Sequence, residues 1–356
     1  MRERSISTFE RFHEQHEAKR LLAAALAEGP THAYLFHGPA GVGKREIARA
    51  FARGLLGTTR ETHADLYELD ALGDMIRIDA IRELRRDLHM RPFEADRRVY
   101  LILSADLMND EAADALLKDL EEPPSYAVII LVADALGPIA ETIRSRCQLV
   151  PFTRLSERAM RQVLETRAPE LAEEKRVAFA RVAAGRLDRL ARLLEPHAAG
   201  RRETLFAQAR AVYHEREFEP AEAASAMLAC TRQRGSEAKE LEEVKVQALE
   251  LPAREAEQRV RRAQRGAERE ELLAQLEELA SWYRDLVVVA VGAESAAMHL
   301  DRIEELRADA TGERVVGAGR AVEAVLETWR RFEEFNLTPQ LALEALFVEL
   351  ARELRS

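Results

Sequence analysis

The sequence predicts an α/β domain built on a parallel sheet, followed by a C-terminal half that is helical throughout. Three observations carry this. Short apolar runs within residues 33–152 alternate with amphipathic stretches, the pattern of buried parallel strands covered on both faces. The first run leads into a glycine-rich loop and then a helix, the order of a phosphate-binding unit. From about residue 154 the strand signals stop.

Taken in order, residues 8–28 predict an amphipathic helix with Leu21, Leu22 and Leu26 on one side, closed by Gly29-Pro30. The run from His32 to His37 predicts a strand, and Lys44 to Leu56 a helix with Ile47, Ala48, Phe51 and Leu55 inward. Further strands are expected at 66–69, 99–103, 127–132 and 148–152, with helices at 78–89, 109–122 and 137–144 between them. The helix over 109–122 stops at Pro123-Pro124, because proline cannot continue the hydrogen-bond ladder. Residues 155–195 predict three short helices broken at Ala184-Gly185, and the chain from about 200 is helical to its end. The expected domains are therefore 1–153, 154–200 and 201–356.

With 356 residues the chain has ample core for two or three domains, and its 47% hydrophobic and 33% charged content suits a soluble, helix-rich protein. No apolar run approaches the roughly 18 residues a membrane span needs. Met1-Arg2-Glu3-Arg4 leads into a polar, acidic segment instead of an apolar signal core, so the expected location is the cytoplasm. Cys147 and Cys230 alone make neither a disulfide scaffold nor a four-ligand zinc site, and the histidines lack metal-ligand spacing. A net charge of −10 argues for protein partners over a DNA grip across the whole surface, while leaving room for a local basic stripe. The densely charged stretch at 236–275 reads first as a solvated helix pair, and second as a basic face that meets DNA phosphate or a partner.

Residues Gly38-Pro39-Ala40-Gly41-Val42-Gly43-Lys44-Arg45 fit G-x-x-x-x-G-K-[ST] up to the last position. Gly38, Gly41 and Gly43 let backbone N–H groups turn toward a phosphate, and Lys44 would reach the β- and γ-phosphates. The usual Ser or Thr hydroxyl on Mg²⁺ is replaced by Arg45, which has no acceptor atom and a fixed positive charge.

Leu116-Leu117-Lys118-Asp119-Leu120-Glu121-Glu122-Pro123-Pro124 resembles the LEEPP signature of bacterial clamp-loader AAA+ subunits, and Ser145-Arg146-Cys147 matches their SRC motif at the family's distance. His32-Ala33-Tyr34-Leu35-Phe36 and Ile78-Asp79-Ala80-Ile81-Arg82-Glu83-Leu84 look like the delta-prime branch of that family. So do Trp282-Tyr283-Arg284-Asp285-Leu286 and Asn336-Leu337-Thr338-Pro339-Gln340-Leu341-Ala342-Leu343-Glu344, in the collar region. The resemblance implies a RecA-like AAA+ domain, a small helical lid and an all-α collar that oligomerises.

The departures from the family fall on one chemistry. The strand-end Asp-Glu pair of active members stands here as Leu103 and Ser104; Asp106 lies past the strand end in register and is not read as its substitute. The sensor Thr falls near Ala133, and the lid's sensor Arg aligns with Asp188, with Arg189 adjacent. The delta-prime four-cysteine zinc module is replaced by a short linker from Gly57 to Thr62, so zinc is not expected. By resemblance, Arg146 is a trans-acting finger that stabilises γ-phosphate charge in a neighbour's ATP site. Its alternative use is a local ion pair with a carboxylate such as Glu141. Cys147 reads as a packed small hydrophobe, Trp282 and Tyr283 as helix-packing aromatics, and Lys118, Glu121 and Glu122 as polar contacts within or between subunits.

The resemblance implies a non-hydrolysing clamp-loader subunit with no required cofactor and weak ATP or ADP binding at most. Its partners would be gamma/tau and delta subunits, with the sliding clamp and primed DNA met through the complex. The alternatives are an active gamma/tau-type motor and an AAA+ scaffold for a non-replicative partner.

Overall fold

A computed structural model describes residues 8–71, 75–248, 252–335 and 337–355. Met1 to Arg4, Asn336 and residues 249–251 of the charged stretch lie outside the described residues. Strands β1 (Ala33–His37), β2 (Leu66–Leu69), β3 (Arg98–Ile102), β4 (Ala127–Ala133) and β5 (Gln148–Pro151) form one parallel sheet in the order β2-β3-β4-β1-β5. The class is α/β with a parallel sheet, followed by a mostly helical C-terminal part, as the sequence predicts.

Alternation along the strands sorts the core into two layers. Tyr34, Phe36, Val99, Leu101, Val128, Ile130 and Val132 point to the face covered by α2 (Lys44–Leu56), where Ile47, Ala48 and Phe51 meet them. Leu35, Tyr100, Ile102, Ile129 and Leu131 point the other way, toward Ile81, Leu84, Leu116 and Leu120 of α3 (Ile78–Leu88) and α4 (Asp110–Glu121). All of β4 is buried, which explains its unbroken apolar run. The Asn109 side chain caps α4 by accepting the Ala112 N–H at 3.1 Å.

The first helix is shorter than the periodicity predicts. Helix α1 (His16–Glu28) starts only after Glu14 and Gln15, whose φ values of 50° and 53° are left-handed. Long-range bonds hold that break. Gln15 Nε2 donates to the Thr153 carbonyl at 2.7 Å, Gln15 Oε1 accepts the Thr153 N–H at 3.1 Å, and Glu14 accepts the Ser156 N–H at 2.8 Å. These side chains serve β5's exit strand and the cap of the next helix, and a continuous helix from residue 8 would pull them away. The helix expected at 137–144 shrinks to α5 (Glu141–Arg144).

The three short helices appear as α6 (Glu157–Arg167), α7 (Glu173–Val182) and α8 (Leu187–Leu193). The break between the last two is Ala184-Gly185, with φ of 49° and 78°. A Cβ on Gly185 would stand 2.4 Å from the Leu155 carbonyl oxygen, so the bend needs glycine.

Residue contacts divide the chain into two compact units. One is Met1–Pro169 with Ala183–Leu190, and the other is Glu170–Val182 with Ala191–Ser356. The second unit holds α9 (Ala198–His214), α10 (Pro220–Ala248), α11 (Ala253–Ala290), α12 (Ile303–Asp309), α13 (Gly312–Glu334) and α14 (Pro339–Arg355). Its core gathers Phe206, Leu276, Leu279, Trp282, Tyr283, Leu286, Leu346 and Phe347. The expectation of helix from about 200 onward is broken at residues 291–302, which carry only short 3₁₀ turns. Buried Asp285 organises this turn by accepting the N–H groups of Met298 and His299, each at 2.8 Å. Among the described residues, no helix is long and apolar enough to cross a membrane.

Candidate functional site

The sheet register collects the candidate residues at the carboxyl ends of the strands, where ligands of open α/β sheets bind. His37 pairs with Ala133, so Gly38 and Asp134 follow side by side. Leu69 pairs with Ile102, so Asp70 and the Leu103-Ser104 step stand together. The loop turns through Gly38, Gly41 and Gly43 at φ of 140°, 72° and 91°, and Gly43 caps the N-terminus of α2. Each of these values lies where only glycine sits without strain. A Cβ on Gly38 would also meet the Phe152 carbonyl oxygen at 2.2 Å.

Lys44 is buried, and its ammonium is turned back on the loop that carries it. Nζ donates to the carbonyls of Gly38 at 2.7 Å and Pro39 at 2.6 Å, and forms an ion pair with Asp134 at 2.7 Å. Three oxygens thus hold the three donors a lysine has.

Arg45 does not fill the phosphate space. It reaches across the strand ends, with Nη1 on Asp70 Oδ2 at 2.7 Å, and Nη2 on Asp70 Oδ1 at 3.3 Å and Ser104 Oγ at 2.7 Å. Ser104 closes the triangle by donating to Asp70 Oδ1 at 2.7 Å. A guanidinium therefore stands among the residues where a metal's hydroxyl and carboxylate ligands would be, and Asp70 is already neutralised. Asp106 is turned away from this triangle. It accepts the Asp134 N–H at 2.9 Å, and burial together with the nearby Asp134 charge raises its carboxyl above the ordinary value.

Asp188 closes the loop from the α8 side. The Leu187 N–H donates to the Gly41 carbonyl at 2.6 Å, and a Cβ on Gly41 would lie 1.8 Å from Asp188 Oδ1. Burial opposes ionisation of Asp188, but Arg186, bonded at 3.2 and 2.7 Å, outweighs it with help from Arg189 and holds the carboxyl below the usual range. A carboxylate thus sits against the backbone that would cradle phosphate, where it repels an incoming anion.

Arg146 lies elsewhere on the same unit, after α5. Nη2 bonds Glu121 at 2.5 Å and Nη1 bonds the Thr142 carbonyl at 2.8 Å. The carboxylate beside it is thus Glu121 of the LEEPP segment and not Glu141, because the end of α4 approaches the residues just after α5. Asp119 of the same segment is buried and anchors α3 through Arg85 and His89. Sequence reasoning did not single out Asp70, Asp134 or Asp119; only their positions just past or between apolar runs hinted at them.

Burial pushes the Cys147 thiol up to about 12, and the side chain packs on the sheet's second core layer. Both native thiols should therefore react slowly with a disulfide reagent at neutral pH, since burial raises Cys230 as well. Two equivalents should appear only in denaturant; rapid labelling of the native protein would count against this packing.

The family described as "DNA polymerase III, delta subunit" matches residues 14–156. DNA polymerase III subunit tau of Bacillus subtilis is 33% identical over 164 residues, 41% of this chain and 29% of that protein. The delta' subunit of Pseudomonas aeruginosa is 36% identical over 135 residues, 33% of this chain and 41% of that protein. The delta' subunit of Bacillus subtilis is 32% identical over 146 residues, 36% of this chain and 44% of that protein. The chain thus spans less than half the length of these relatives, which include both tau and delta' names.

Proposed function

We propose, from the premise that the domain over residues 14–156 belongs to the DNA polymerase III clamp-loader family, that this chain is its non-hydrolysing, delta-prime-like member. It works at interfaces: its helical C-terminal part assembles with gamma/tau and delta subunits, and Arg146 completes a neighbour's ATP site. The complex then loads a sliding clamp onto primed DNA. The observation that carries this reading is the Arg45–Asp70–Ser104 triangle. Phosphoryl transfer relies almost entirely on positioning and charge stabilisation, and the metal-binding hydroxyl, the strand-end acid and the base are replaced here by Arg45, Leu103 and Ser104. The residues do not suit Mg²⁺, since Arg45 already occupies Asp70 and Lys44 occupies Asp134.

A gamma/tau-type motor would need those groups, so the triangle argues against it despite the likeness to tau. Purified alone, the chain should hydrolyse ATP at no more than background rate with Mg²⁺ present. Robust Mg²⁺-dependent turnover that tracks the protein through purification would overturn the reading. Mixing with gamma/tau and delta subunits should yield one co-eluting assembly, and its absence would favour a non-replicative scaffold.

A further inference from the structure

Helix α11 carries a basic face that the proposed function leaves unused. Arg254, Arg261, Arg262, Arg265 and Arg269 recur at helical spacing and are all exposed. At 3.6 residues per turn they fall on one side of the helix with Gln258, over about 22 Å of its length. Another side of α11 meets α10, where Arg259 pairs with Glu242 at 2.5 Å, and Glu268, at the edge of the arginine row beside Arg261, packs on Gly235.

Arginines at i,i+3 and i,i+4 repel one another, and a solvated helix face ordinarily relieves this with interleaved acids. Here the relief is partial. Arg261 pairs with Glu257 at 2.6 Å, and Arg269 donates to the Glu333 carbonyl at 3.1 Å. Glu255 is exposed at the margin of the face, and Glu268 is taken by Gln264. Among the described residues, Arg254, Arg262 and Arg265 form no ion pair. In a chain of net charge −10, three uncompensated guanidinium groups on one face are a local exception.

We infer that this face of α11 binds the phosphate backbone of duplex nucleic acid. The ligand is a polyanion, because a row of exposed arginines sets up a local positive field that an anionic partner complements. Phosphate is favoured over a carboxylate-rich protein because the positions are all arginine, whose fork donates to two phosphate oxygens at once, and because a straight row of charges suits a regularly charged backbone. The contact is to backbone, so it carries no base preference.

The test measures anisotropy of a labelled DNA duplex with the full chain, without nucleotide or partner subunits, across a salt series. Wild type should bind, with log affinity falling linearly against log salt. Changing Arg254, Arg262 and Arg265 together to Ser should flatten the slope by about 0.9 per arginine, and Arg265→Ser alone by about 0.9. The triple Lys variant should keep the slope, which separates lost charge from lost folding. No binding at low salt, an unchanged slope in the Ser variants, or tighter binding of polyglutamate than of the duplex would each overturn the inference. Because no ATP or partner is present, such a failure leaves the reading of the loop and of Arg146 standing.

Discussion

Replacing Arg146 with Ala should leave the reconstituted clamp loader assembled and lower ATP turnover at the adjoining motor site by about 10³–10⁵-fold, the range supplied by a trans arginine. The local geometry makes Arg146 available. Its guanidinium is about one-third exposed, and its carboxylate partner Glu121 is half exposed. An exposed ion pair of this kind contributes at most about 1 kcal/mol, so a doubly charged γ-phosphate competes for the fork. The same weakness means that the variant should unfold at the wild-type denaturant concentration. Arg146→Lys should fall between the two, because lysine keeps the charge and loses the planar pair of donors. Turnover unchanged in Arg146→Ala, measured in an assembly of normal composition, would remove the finger assignment while leaving the family membership intact.

Trp282→Ala should destabilise the second unit by about 3–5 kcal/mol, the usual cost of removing a large core aromatic. Trp282 is fully buried, lies 4.7 Å from the Phe206 ring at a tilt of 30°, and donates Nε1–H to the Tyr213 hydroxyl at 3.3 Å. Truncation leaves a cavity beside Phe206 and deprives Tyr213 of a donor. Domains typically hold a margin of about 5–15 kcal/mol, so this loss brings the unit close to unfolding. Urea unfolding followed by helical circular dichroism reads it directly. Trp282→Phe should cost much less, since most of the apolar area stays. A shift below about 1 kcal/mol for the Ala variant would show that Trp282 is not the centre of this core.

The parts legible in the sequence are those set by local rules. Strand positions, the glycine loop, the three short helices and the Ala184-Gly185 break follow from periodicity and backbone freedom, and the structure places them within a residue or two. The parts that escape depend on long-range contacts. The start of α1 is decided by Gln15 and Glu14 reaching Thr153 and Ser156, more than a hundred positions away. The odd letter at 45 is visible at once, but its partner Asp70 becomes identifiable only when the register sets β2 beside β3. Glu141 is nearer to Arg146 in sequence than Glu121, yet the end of α4 brings Glu121 to it. The alignment of Asp188 with the family's sensor Arg is read from the sequence, whereas its contact with Gly41 requires α8 to fold back on the loop.

That contact ties the loop to its neighbours. A change of Arg45 to Thr would introduce a hydroxyl and at once leave Asp70 and Ser104 without their cation, while Asp188 still pressed on the loop and Lys44 stayed bound to Asp134. Each such change is unfavourable until the others are made. The residues of this loop are therefore mutually dependent: a change at Arg45, Lys44 or Asp188 alone leaves the partners held by the others in place.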